Sequence, residues 1–136
     1  MSSDVLASAL ESLVRGVTVY QEGRVPAVPD FPYVLVSTSF PSVVERSAVR
    51  SVVASEVRVR TTLVGELPES VRWLGDRVCP VLEGARPVVP GWRLGRVEER
   101  PSGQGVVTDF DVSLPGGLHP VYTVVDWVLT ASRSPA

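Results

Sequence analysis

The final strand is the feature that most constrains the fold. Residues 121–132 alternate without a break, with Val121, Thr123, Val125, Trp127, Leu129 and Ala131 on one side and Tyr122, Val124, Asp126, Val128, Thr130 and Ser132 on the other. A period of two over such a length specifies an extended strand with one face against a core. At ~3.3 Å per residue it reaches roughly 40 Å, whereas a compact domain of this size has a radius of gyration of only ~14 Å. The strand must cross the whole domain or run past it to a neighbour, and the other elements must be arranged around it.

The rest of the chain supplies partners. Behind Ser3, a plausible N-cap, Val5, Leu6, Ala9, Leu10, Leu13 and Val14 recur at helical spacing before Gly16, predicting a helix over 4–15. Short strands follow at 17–20 and 33–39, separated by a loop holding Pro26, Pro29 and Pro32. From Glu56 to Gly65, Val57, Val59, Thr61 and Leu63 alternate with Arg58, Arg60 and Thr62, the mark of a half-exposed strand. Pro68 suits the first position of a second helix whose inward face is Val71, Leu74 and Val78, and Pro80 should stop or kink it near Cys79. Strands at about 92–100 and 106–113 flank Pro101–Gly105, which reads as a β-hairpin. The segment 41–54 would align Val44, Ala48 and Val52 on a helix, but its density of β-branched residues favours an extended arm.

The expected fold is α/β of the α+β type. One domain spanning 1–136 holds a mainly antiparallel twisted sheet of about five strands, with two helices packed on one face. A chain of 136 residues buries enough surface to need no disulfide or metal for stability. A single cysteine, Cys79, rules out an intrachain disulfide and a zinc site built on cysteines. No apolar run approaches the ~20 residues of a membrane span, and the first 16 residues have no basic n-region, so no membrane association and no secretory leader are expected. Thirteen basic against fifteen acidic residues, net −2, argue against nucleic-acid gripping as the main task. All thirteen basic residues are arginine, and lysine, isoleucine and asparagine are absent, which points to a GC-rich genome.

No constellation of residues announces chemistry, and no cofactor is expected. His119 is the only histidine, set in a loop without a sequence-adjacent partner, and reads as a loop residue more than a general base or metal ligand. Asp109 and Asp111 would share a strand face and could hold a hard cation, but the spacing supplies no further ligands. Arg58 and Arg60 share a face that suits water or acidic groups on a partner. The glycines of Pro101–Gly105 lack the lysine and following helix of a phosphate loop.

The order of these segments carries a resemblance. A short helix precedes "PYVLVS"; a strand closing on "RVRTTLVGE" runs into the helix "VRWLGDRV"; then come "GWRLGRVEE", "VVTDFDVSLPGGLHPVY" and a last strand ending "LTASR". From about residue 4 to 133 this resembles the tail terminator, or tail completion, proteins of long-tailed bacteriophages. The resemblance implies a structural virion protein rather than an enzyme. Such a protein forms a ring, commonly a hexamer, that caps the tail tube, ends its polymerisation and docks it to the head connector or stopper protein, with DNA only in transit through the lumen. It would be assembled in the host cytoplasm and reside in the neck of the virion. Within that reading, Val43, Val44, Val49, Val52 and Val53 of the arm, with Arg58 and Arg60, are the expected subunit or partner contacts. The arm is more apolar than a solvated loop should be. The alternatives are another neck or minor tail component of the same fold, or a small cytosolic binding module or metal-dependent enzyme using Asp109 and Asp111.

Overall fold

The computed structural model describes residues 3–39, 55–101 and 105–133. In chain order it contains α1 (Ser3–Leu13), β1 (Thr18–Gln21), β2 (Tyr33–Ser39), β3 (Ser55–Gly65), α2 (Pro68–Leu82), β4 (Trp92–Leu94), β5 (Glu98–Arg100), β6 (Val107–Thr108), a single 3₁₀ turn at Pro115–Gly117, and β7 (Val121–Arg133). The strands form one sheet in the order β1-β2-β3-β7-β4, and β5 and β6 also pair with β7. All pairings are antiparallel except β1 with β2, which is parallel, so the sheet is mainly antiparallel, as expected, with one parallel pair at its edge. The expected arm at 41–54, with Val43, Val44, Val49, Val52 and Val53, lies outside the described residues.

The long strand is β7, and it is central. One edge pairs with β3 from Gly65↔Val121 to Ser55↔Ala131. The other edge is served in sequence by β4, β5 and β6. This corrects the expected hairpin: 92–100 and 107–108 do not pair with each other but lie end to end along β7. A thirteen-residue strand has more edge than one short strand can satisfy, and each unpaired backbone group would otherwise be left without a partner. Between Leu94 (opposite Ala131) and Glu98 (opposite Val128) the chain advances four residues against three on β7, so a bulge lies there. Within it the Gly95 N–H donates to the Thr130 carbonyl at 2.8 Å. Val97 turns its side chain into the core and its backbone pairs with Gly84 and Ala85.

Both helices cover the same face of the sheet. Leu6 and Leu10 from α1 and Val71, Leu74, Val78 and Leu82 from α2 meet Val34, Val36, Val57, Val59, Leu63, Trp127 and Leu129 in one cluster. The inward face of α2 therefore follows the expected spacing. Pro80 does not stop it; the helix runs to Leu82, with Glu83 N–H bonded to the Cys79 carbonyl at 2.9 Å. The carbonyl that Pro80 leaves without a donor belongs to Asp76, an exposed residue where water can take it, and Leu82 anchors the last turn in the core.

Thr61 is the one buried polar side chain of the described core. Its hydroxyl donates to the Val125 carbonyl at 3.0 Å and accepts from the Trp127 indole N–H at 3.0 Å. That exchange lets the largest core side chain, fully buried, keep its polar atom satisfied.

Candidate interface on the outer sheet face

The face of the sheet away from the helices carries every second residue of β2, β3 and β7, and it divides into two halves. Towards Ser39 and Ser55 it is charged. Arg60 stands opposite Asp126 and holds both carboxylate oxygens, at 2.8 and 3.4 Å. Arg100 of β5 stands opposite Asp126 on the other side, and its side chain makes no hydrogen bond among the described residues. Arg58 reaches Glu56 at 3.5 Å, with 78% of its side chain exposed. A cross-strand ion pair of this kind contributes about 0.2–1 kcal/mol in water. Both Arg58 and Arg60 thus lie on the exposed face, as the alternation predicted.

Val128 also points to this face yet is only 8% exposed. It lies between Arg58 and Glu98 of the flanking strands and floors a groove of about 510 Å³. Ser37, Thr38 and Ser39 form one wall of the groove, and Arg58 and Arg100 are on its rim.

Towards Tyr33 and Tyr122 the outer face is aromatic. Tyr20 packs edge-on against Tyr33 at 5.2 Å, and Phe31 lies 5.5 Å from Tyr33. Burial pushes the Tyr33 phenol up from its ordinary pKa, and the nearby Asp109 and then Tyr20 add to the shift. Asp109 lies in the loop that joins β6 to β7.

That loop corrects the expected strand at 106–113. Regular pairing ends at Thr108 because the Asp109 carboxylate accepts the Asp111 N–H at 3.1 Å and turns the chain. Asp109 and Asp111 consequently share a turn rather than a strand face, and one Asp109 oxygen is already engaged. Among the described residues no group of three or more His, Cys, Asp and Glu side chains could hold a metal ion. His119 donates from Nδ1 to the Val112 carbonyl at 2.7 Å and its ring meets Phe110 edge-on at 5.2 Å. It staples the loop on which Phe110 stands 75% exposed.

Sequence reasoning did not find the partnership of Arg60 with Asp126, the place of Arg100, or Phe110 against His119. The first two were findable in principle: Asp126 was assigned to the polar side of the last strand and Arg60 to the polar side of its eventual neighbour. Nothing in the sequence gave the register.

Cys79 lies half-buried on α2, and burial raises its thiol pKa, with Glu99, Asp76 and Glu83 adding smaller upward contributions. A raised pKa means less thiolate at neutral pH. Maleimide labelling of the folded protein should therefore be slow at pH 7 and should quicken as pH rises. A rate equal to that of a free cysteine in a short peptide at pH 7 would contradict this.

With the geometry in place, the chain can be compared with known proteins. No protein-family model matches it, and no curated protein is similar in sequence. A solved structure does match. Its fold is shared with a chain in the virion of a native gene transfer agent particle. The correspondence has a TM-score of 0.55 at 13% identity and covers 93% of this chain and 84% of that one. Among the described residues no helix is long and apolar enough to cross a membrane.

Proposed function

We propose that the protein is a structural virion component acting as a tail terminator. In this reading copies of the chain close into a ring, hexameric by analogy with the family it resembles. The ring caps the tail tube, ends its polymerisation and joins the tail to the head connector or stopper protein. The observation that carries the virion role is the fold shared over nearly the whole chain with a virion component; the terminator assignment rests on the segment order set out above. DNA would pass through the lumen without being gripped, in keeping with a net charge of −2.

The contacts assigned to assembly are Arg58 and Arg60 of the outer face and, from the arm expected at 41–54, Val43, Val44, Val49, Val52 and Val53. Apolar arm residues packed against a neighbour would contribute ~25 cal/mol per Å² removed from water. Val43→Asp with Val44→Asp should block ring formation while circular dichroism remains native. Sedimentation of the pure protein and electron microscopy of tails made with the variant read the two consequences. Tails of normal length and normal termination would reject the arm assignment.

A second reading, another neck or minor tail component, draws on the same shared fold; a gene order placing this sequence beside the tail-tube gene favours termination. The metal-dependent alternative through Asp109 and Asp111 predicts a rise in melting temperature with Mg²⁺ or Ca²⁺. The turn geometry instead predicts a flat response.

A further inference from the structure

The sheet separates charge along its length. The row Gly65–Val121–Thr108 marks one end and the row Ser55–Ala131–Leu94 the other, about 33 Å apart at the rise of an extended chain. The turns at the first end, 14–17, 30–33, 65–69 and 109–120, hold Asp30, Glu66, Glu69, Asp109 and Asp111 against a single arginine, Arg15. The segments at the other end, 55–60, 83–86, 92–101 and 126–133, hold seven of the eleven arginines in the described residues against five carboxylates. With a screening length of ~8–10 Å at physiological salt, the two ends do not compensate each other within one molecule. Each end presents its own sign to whatever approaches it.

We infer that the acidic end of one copy docks on the arginine-bearing outer groove of the next, in a head-to-tail contact with Phe110 as its apolar knob. This deepens the ring reading and rests on it. Three observations carry the contact. The acidic end displays apolar surface: Phe110 is 75%, Leu118 54% and Val112 42% exposed. The groove offers the complement, a Val128 floor with Arg58 and Arg100 at its rim. The groove holds three arginines and three carboxylates: Arg60 and Asp126 satisfy each other, Arg58 reaches Glu56 only at 3.5 Å, Glu22 also lines it, and Arg100 has no side-chain partner among the described residues. Symmetry supplies the remaining argument. A two-fold contact could pair opposite signs only through one antiparallel interface that takes in both ends of each copy, whereas a head-to-tail contact pairs them through a single patch on each. That is also the contact type that closes into rings.

The test is charge exchange in the full chain, read by sedimentation velocity at low and high salt. Asp111→Arg with Glu66→Arg reverses exposed carboxylates at the acidic end, and Arg58→Glu with Arg100→Glu reverses the groove. Each double variant should weaken self-association on the order of tenfold or more at low salt, and the four changes combined should restore much of it. Phe110→Ser should weaken association at both salt concentrations with a native circular dichroism spectrum. If the wild-type protein is monomeric, the ring reading fails and this contact with it. If the wild-type protein forms rings that neither double variant disturbs, or that the combination does not rescue, the ring stands and this contact is wrong. If the acidic-end variant still forms rings but no longer binds purified tail tubes, the acidic end serves a different protein and the second-copy assignment is overturned.

Discussion

Replacing Trp127 with Ala is expected to lower the free energy of unfolding by about 3–5 kcal/mol. The indole is fully buried at the centre of β7, packed into the cluster that both helices close. Truncation leaves a void that backbone hydrogen bonds to strands on both edges prevent from collapsing. Whole domains of this kind have only about 5–15 kcal/mol of stability, so the variant would be partly unfolded at moderate temperature. The polar atom can be separated from the volume. Thr61→Val keeps the shape but leaves the Trp127 N–H without an acceptor, at a cost of about 1–3 kcal/mol for an unpaired buried donor. Trp127→Phe keeps much of the packing and leaves Thr61 its bond to Val125, so it should fall between wild type and Ala. Urea denaturation followed by circular dichroism measures all three, and a Trp127→Ala loss below about 1 kcal/mol would refute the account.

The second large effect concerns a glycine that has no unusual backbone angle. Gly65 ends β3 where the chain turns into α2, and a Cβ there would sit 2.7 Å from the Ser70 Cβ and 3.3 Å from both the Leu67 carbonyl oxygen and the Val71 nitrogen. Those atoms belong to the first turn of α2, where the Ser70 and Val71 N–H groups bond to the Leu67 carbonyl. They cannot give way without loosening the start of the helix. Gly65→Ala should destabilise by about 1–3 kcal/mol, as overpacking does. Gly75→Ala is the contrast. It sits inside α2 with the new methyl at an ordinary 3.8 Å from Leu63 Cδ1, and relief of the glycine penalty in a helix should stabilise by up to about 1 kcal/mol. Opposite signs for the same substitution ten residues apart would support the packing shown; equal effects would refute it.

Much of the framework could be read from the chain alone because it follows from periodicity. The strands β2, β3 and β7 and the buried face of α2 each come from a local pattern of apolar residues, and the solvent face of Arg58 and Arg60 comes with them. What could not be read is pairing. The segments 92–100 and 106–113 were assigned to each other because a glycine-rich loop joins them, yet the edge of β7 holds both. The two aspartates at 109 and 111 were placed on a strand because alternation continues through Phe110 and Val112. A side chain–backbone bond from Asp109 ends the strand there, and such bonds outcompete pattern locally. The site suffers more than the fold, since its elements come from distant parts of the chain: Arg60 and Asp126 are 66 positions apart.

The position of β7 also governs the order in which this protein can acquire structure. β3 has β2 on one edge, but its other edge finds a partner only at residues 121–131, and β4, β5 and β6 have no other strand to join. During synthesis one edge of β3 and the whole of β4, β5 and β6 lack a partner until the chain has passed residue 133. Folding therefore waits on the slowest kind of contact, one that closes long loops. Until then the second edge of β3 is open to any passing strand, and a chaperone that shields residues 55–65 would act on the step at which this protein is most vulnerable to aggregation.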